Sequence, residues 1–275
     1  MNRTMITATN TLGQLQKQLD VISNNIANVE TTGFKRREAT FTDLLVQQFN
    51  NLTNEDTGAP RLTPAGIRQG TGAKLGQIQM VLTQGTIKAT DRPLDTAFTK
   101  PGLFYRIQVQ TNDGYETQYT RDGAFYLSPL SDNETMLVTN SGKPVLDENN
   151  DPVIIAGQAS DYTITETGTL VVNMADGSQK SVNLGVSQVN KPQFLEQKGD
   201  NLLGLPADVE AEGVFTELNG GLRNQISIRS GALELSNVDL SKEMTDLMTA
   251  QRSYQFQARS INMADQMMGL INGIR

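Results

Sequence analysis

Gly70-Thr71-Gly72-Ala73-Lys74-Leu75-Gly76 is the stretch that comes nearest to a phosphate-binding loop. Its last glycine is misplaced for a dinucleotide fingerprint, and neither a strand before it nor a helix after it is predicted. Gly142-Lys143 has no earlier glycine to close a P-loop, and Pro144 stands where Ser or Thr would bind magnesium. Asp147-Glu148-Asn149-Asn150-Asp151 starts like a calcium loop, but Pro152 replaces the glycine of the sharp turn and Gln158 the closing glutamate. It reads as a polar turn. Thirty Asp and Glu residues give many pairs that could do acid–base work on a glycosidic bond, and nothing marks one pair out.

The chain of 275 residues has no His and no Cys. That removes Ser-His-Asp arrangements, thiolate nucleophiles and the commonest metal ligands. The net charge of -7 argues against sequence-independent nucleic-acid binding and against docking on an anionic membrane surface. No apolar run approaches the roughly 18 residues of a membrane span. The first residues are polar and heptad-patterned, unlike a cleaved signal peptide. No catalytic residue, cofactor, metal or small-molecule substrate is expected.

The strongest pattern is architectural. Met5, Ala8, Leu12, Leu15, Leu19, Ile22, Ile26 and Val29 follow a 3-4 spacing that ends at Thr31-Thr32-Gly33-Phe34. This predicts a helix over 4–29 whose apolar seam needs another helix. Gln14, Gln16, Lys17, Gln18, Asp20, Asn24 and Asn28 fall on its outer face. The amides within Ser23-Asn24-Asn25-Ile26-Ala27-Asn28 can bond across a helix–helix contact or belong to a solvated helix end. At the other terminus, Ser236-Asn237-Val238-Asp239 matches a helix start. Leu240, Met244, Leu247, Gln251, Tyr254, Ala258, Ile261, Asp265 and Met268 then run at 4-3 spacing. Ala264 and Ile271 offer an alternative stripe, so this seam drifts.

Between the helices the period changes to two. Lys35-Arg36-Arg37-Glu38 reads as a solvated charge run. Phe41, Leu44, Leu45, Val46 and Phe49 suggest a short amphipathic element, and 50–63 a polar loop. Leu103, Tyr105, Ile107 and Val109 alternate with Phe104, Arg106 and Gln108, then Asn112-Asp113-Gly114 turns the chain into Tyr115, Thr117 and Tyr119. That is a hairpin. Strands are also predicted at 153–155, 170–172 and 182–186. The fold class is therefore α+β. Terminal helices (1–35 and 236–275) form a coiled-coil-like arm, 36–97 and 190–235 connect, and 98–189 is an all-β domain of hairpins.

The ends also resemble a known family. Leu19-Asp20-Val21-Ile22-Ser23-Asn24-Asn25-Ile26-Ala27-Asn28-Val29 with Thr32-Gly33-Phe34-Lys35, and Gly231-Ala232-Leu233-Glu234-Leu235-Ser236-Asn237-Val238-Asp239 with Gln251-Arg252-Ser253-Tyr254, resemble the signatures of bacterial flagellar rod and hook (axial) proteins. Gln84-Gly85, Leu94-Asp95-Thr96-Ala97 and Tyr119-Thr120-Arg121-Asp122-Gly123-Ala124-Phe125 are similar to internal family segments in the same order. Ser230, Glu30 and Pro101-Gly102-Leu103-Phe104 depart from the common pattern.

The resemblance implies a helical homopolymer at the basal body, in the cell envelope outside the cytoplasmic membrane. Its partners would be its own copies, neighbouring rod and hook proteins, and the type III export apparatus, which needs no cleaved signal. It also implies terminal helices that order on assembly. The distal rod fits best, because a segment at 47–60 follows the N-terminal signature. The expected interface pairs Leu12, Leu15, Leu19, Ile22, Asn24, Asn25, Ile26 and Asn28 with Leu240, Met244, Leu247, Tyr254, Ile261 and Met268. Each buried Leu or Ile there would contribute about 1.5–3 kcal/mol. Rival readings are a proximal-rod or hook member, a secreted β-domain enzyme with oligomerisation arms, and a cytoplasmic coiled-coil binding module.

Overall fold

A computed structural model describes residues 2–43, 46–49, 67–70, 73–111, 114–131, 133–206 and 213–273. The chain divides into two compact units. One comprises Met1–Asn24, Glu38–Ile78 and Ser241–Arg275, and the other Asn25–Arg37 and Gln79–Leu240.

The first unit holds most of helix α1 (Asn2–Ala27), strands β1 (Arg37–Asp43), β2 (Val46–Phe49), β3 (Ile67–Gly70) and β4 (Ala73–Met80), and helix α2 (Leu240–Gly273). The 3-4 seam folds as α1. Its last turn tightens, with Asn28 N–H on Asn25 O and Val29 N–H on Ile26 O. Gln14, on the outer face by pattern, accepts a hydrogen bond from Leu75 N–H at 2.8 Å. Of the residues read as a short amphipathic element, Phe41 lies on β1 and Val46 and Phe49 on β2: β1 pairs with β4, and β2 with β3 in antiparallel register from Val46↔Gly70 to Phe49↔Ile67. Leu44, Leu45, the polar loop at 50–63 and the Asn112-Asp113 turn fall outside the described residues. Gly70 ends β3 and Ala73–Gly76 begin β4, so a strand does precede this stretch, contrary to the pattern reading, and β4 rather than a helix follows it.

The second unit is a β body. Its strands are β5 (Ile87–Ala89), β6 (Thr96–Phe98), β7 (Leu103–Thr111), β8 (Gly114–Thr120), β9 (Tyr126–Ser131), β10 (Glu134–Val138), β11 (Ile154–Ala156), β12 (Ala159–Ile164), β13 (Thr169–Met174), β14 (Gln179–Asn183), β15 (Val186–Val189), β16 (Glu196–Gly199), β17 (Leu202–Gly204), β18 (Phe215–Glu217), β19 (Ile228–Ser230) and β20 (Ala232–Glu234). The main sheet runs β16-β17-β8-β7-β15-β18, and β9–β11 and β12–β14 form three-stranded meanders. The predicted hairpin forms as β7–β8, in register from Tyr105↔Thr120 to Thr111↔Gly114.

The alternation in β7 is buried on both sides, as befits a central strand. Leu103, Tyr105 and Ile107 enter one core with Phe98, Phe125, Leu137 and Leu170. Phe104 enters the other with Tyr119, Val189, Leu203 and Phe215. Strands from 190–235 complete this sheet, so the body extends past 98–189 at both ends: its registers need β16–β18, β19 against β6 and β20 against β5. The run at 182–186 is two strands. Gly185 separates them, and a Cβ there would meet Asp147 O at 2.5 Å and Arg106 Nε at 2.6 Å.

Candidate assembly surfaces and a buried polar knot

The predicted interface residues occupy unlike environments. On α1, Ile22 is 6 % exposed, Leu12, Leu15, Leu19 and Ile26 are half-buried, and Asn24 is exposed. Asn25 is buried, and its amide is used within the chain: Nδ2 donates to Arg37 O and Oδ1 accepts from Arg37 N–H, both at 2.9 Å. The half-buried Asn28 accepts from the Thr31 hydroxyl at 3.1 Å.

On α2 the covered stripe is Glu243, Leu247, Ala250, Tyr254, Ala258, Ile261, Ala264 and Met268. It differs from the seam read by spacing. Ala250 and Ala264 take the places of Gln251 and Asp265, while Leu240 and Met244 are exposed. A second apolar row, Phe256, Met263, Met267 and Leu270, repeats at steps of 7, 4 and 3 along another side of the helix. It is open to solvent, with Phe256 at 66 % and Leu270 at 68 %. Two apolar rows on one helix explain the drift.

Helix α2 also starts later than its Ser-x-x-Asp signal predicts, at Leu240. Asn237 does not cap it. Its Oδ1 accepts from Arg36 N–H at 2.7 Å, and its Nδ2 donates to Val81 O at 2.8 Å and Thr83 O at 2.9 Å. Those bonds hold 236–239 outside the helix.

Asn237 borders a polar knot inside the β body. The Glu234 carboxylate, almost fully buried, receives Lys35 Nζ at 2.5 Å, Arg121 Nε at 2.7 Å and Gly85 N–H at 2.9 Å. Lys35 also donates to Thr83 O at 2.8 Å, and Arg121 to Leu103 O at 2.5 Å and Lys100 O at 2.7 Å. The backbones join in: Gly33 N–H meets Glu234 O at 2.7 Å and Asn237 N–H meets Phe34 O at 3.4 Å. Close approach requires two glycines. A Cβ on Gly33 (φ +68°) would sit 2.6 Å from Arg121 C, and one on Gly85 2.0 Å from Leu235 O.

Lys35 is therefore no part of a solvated charge run; it is 4 % exposed. Burial pulls its ammonium below the usual lysine range, Glu234 opposes the shift, and Arg121 adds to it. Burial lowers Arg121 as well, again against Glu234. Beside the knot, burial raises Asp122, while the Ala124 N–H and the Thr32 hydroxyl stabilise its anion. The knot offers no reacting geometry, since every group named is committed to a structural partner.

Sequence spacing did not single out Lys35, Arg121, Glu234 or Asn237. The available signal was Glu234, one acid between Leu233 and Leu235. The calcium-like stretch is a turn in which Asp147 Oδ1 accepts from Asn149 N–H at 2.8 Å and Asp151 N–H at 2.9 Å. Among the described residues no group of three acidic, His or Cys side chains could hold a metal, and no helix is long and apolar enough to cross a membrane.

Over its whole length the chain is 46 % identical to the flagellar hook-basal body complex protein FlhP of Bacillus subtilis (strain 168), with all of both chains covered. The chain belongs to the flagellar basal-body rod family. Residues 5–35 match the flagella basal body rod protein model, 102–172 the flagellar hook protein FlgE/F/G D1 domain, and 229–274 the flagellar basal body rod FlgEFG protein C-terminal region. It is 34 % identical to the flagellar basal-body rod protein FlgG of Buchnera aphidicola subsp. Schizaphis graminum (strain Sg), over 92 % of each chain. Identity to FlgG of Bacillus subtilis (strain 168) is 31 %, over 98 % of this chain and 97 % of that one. The family is one of structural proteins rather than a class of enzymes. Its three matched segments contribute one knot residue each: Lys35, Arg121 and Glu234.

Proposed function

We propose that this structural subunit of the flagellar rod polymerises through its terminal helices into a helical tube, of the distal-rod type, that carries torque from motor to hook. The observation that supports this most is the second apolar row of α2. Phe256, Met263, Met267 and Leu270 stay exposed although α2 covers another stripe. Their burial against further copies would contribute about 1.5–3 kcal/mol for each side chain. The half-buried Leu12, Leu15, Leu19 and Ile26 of α1, with Leu240, Met244, Leu247, Tyr254, Ile261 and Met268 of α2, supply the remaining helical contacts in this reading. Coiled-coil pairing of the two helices belongs to it. A head-to-tail surface that does not close on itself produces a filament. Export through the flagellar type III apparatus places the subunit outside the cytoplasmic membrane, next to other rod and hook proteins.

Leu270→Asp tests the reading. The variant subunit should be exported yet missing from purified hook–basal bodies, with motility lost. Normal incorporation would overturn the role of this row. A second reading has one specific support: identity to FlhP, at 46 %, exceeds identity to FlgG of the same Bacillus, at 31 %. The subunit would then take a position like that of FlhP in the hook–basal body complex. Labelled subunits mapped by height along isolated basal bodies separate the two.

A further inference from the structure

The knot joins three chain segments that are far apart in sequence. Lys35 and Glu234 are separated by 199 residues, and Arg121 and Glu234 by 113. Glu234 is the acid on which both buried cations converge, through different oxygens, Oε1 for Lys35 and Oε2 for Arg121. Without that carboxylate, two cations would face each other in a site with almost no solvent, an arrangement that strongly disfavours closure. The segment leading out of α1 carries Lys35, and the segment leading into α2 follows Glu234 directly. The same two segments are tied by Gly33 N–H on Glu234 O, Arg36 N–H on Asn237 Oδ1 and Asn237 N–H on Phe34 O.

We propose that Glu234 is a latch that makes the roots of the two terminal helices order together: 28–37 is held on the β body only when 232–237 is docked, and the reverse. The coupling is reciprocal, as linkage requires. Lys35 and Asn237 are the two handles of the latch. Arg121, held by Leu103 O and Lys100 O, is the fixed post. The latch belongs to the single subunit and does not depend on the proposed polymer. If that polymer is correct, a chain that has not yet delivered residue 234 cannot present a fixed root for α1.

The test is hydrogen exchange read by mass spectrometry on the full-length monomer. In Glu234→Gln, amides of 28–37 and of 83–86 should exchange at least about tenfold faster, while β7 and β8 change by less than about twofold. Lys35→Met should in turn speed exchange at 232–237 by a similar factor. Unchanged protection at 28–37 in Glu234→Gln would overturn the proposal, and so would an equal rise across β7 and β8, which would make Glu234 a general stability residue. Protection at 232–237 surviving in Lys35→Met while 28–37 loosens would refute the coupling. If Glu234→Gln does not fold, Asn237→Ala probes the same link from a half-buried position and should loosen 28–37 and 232–237 together, with β7 and β8 unchanged. Assembly plays no part in these readings, so their outcome is separate from that of the Leu270→Asp experiment.

Discussion

The β body and the terminal helices treat their apolar residues differently. In the body, Phe98, Tyr105, Ile107, Phe125 and Leu137 have no measurable exposure. Tyr105 sits between Phe98 and Phe125 at ring-centroid distances of 4.3 and 4.9 Å. Along the helices, most seam residues are half-buried, and α2 leaves a full row of large side chains in water. The body closes a core of its own, with single side chains such as Tyr115 and Leu130 left exposed on it. The helices carry surfaces that a single copy leaves open, and such surfaces mark contact sites. One chain thus combines a body with a closed core and helices whose second apolar row stays open.

The hardest test of that contrast lies in the body. Phe98→Ala should cost about 3–5 kcal/mol, because it opens a cavity beneath Tyr105 and removes the ring under Arg121. Chemical denaturation of the monomer measures it; a loss below about 1 kcal/mol would mean the body is not the rigid part.

Alkaline pH gives a smaller effect. Burial pushes the Tyr119 phenol up to about 12, helped by the nearby Glu217 and opposed by Arg106. The folded state therefore holds this proton more tightly than the unfolded chain, whose tyrosines titrate near pH 10. The contribution is whole below pH 10 and is lost as pH rises through about 12, on the order of 1–3 kcal/mol. Tyr119→Phe keeps the stack on Phe215, with centroids 3.7 Å apart, and should flatten that slope in denaturation curves at pH 9–12. An unchanged slope would assign the alkaline loss to other groups.

The smallest stability effect belongs to the open row. Met263→Ser with Met267→Ser should shift monomer stability by no more than about 0.5 kcal/mol, since neither side chain is covered. Sedimentation of concentrated protein should show polymer formation reduced in the same variant. A fall in the unfolding midpoint like that of Phe98→Ala would dissolve the contrast between the two regions.

Local patterns were legible in the sequence, and distant meetings were not. The 3-4 spacing of Leu12, Leu15, Leu19 and Ile22 announces α1, and the alternation around Tyr105 announces the β7–β8 hairpin. Both signals repeat within a few residues. The covered stripe of α2 was legible in part: the alternative position Ala264 is buried, while Ala250 hides behind the larger Met and Leu side chains and Ile271 is exposed. The knot lay beyond pattern reading. Lys35 is followed by Arg36, Arg37 and Glu38, which looks like surface, and its acid arrives 199 residues later. Asn25 and Asn237 looked like helix chemistry, yet their amides serve the backbone of Arg37, Arg36, Val81 and Thr83.

The bond from Gly33 N–H to Glu234 O closes the chain on itself at one doorway. Everything from 34 to 233 leaves through it and comes back through it. In topological terms 34–233, which carries β1–β4 as well as the β body, is a cassette spliced between two helices. Closing such a loop grows costlier only slowly with its length, by about 0.6 kcal/mol for each doubling. A smaller or larger cassette could therefore replace this one with the doorway left as it is. The size of the cassette and the register of the terminal helices are then free to evolve on separate schedules.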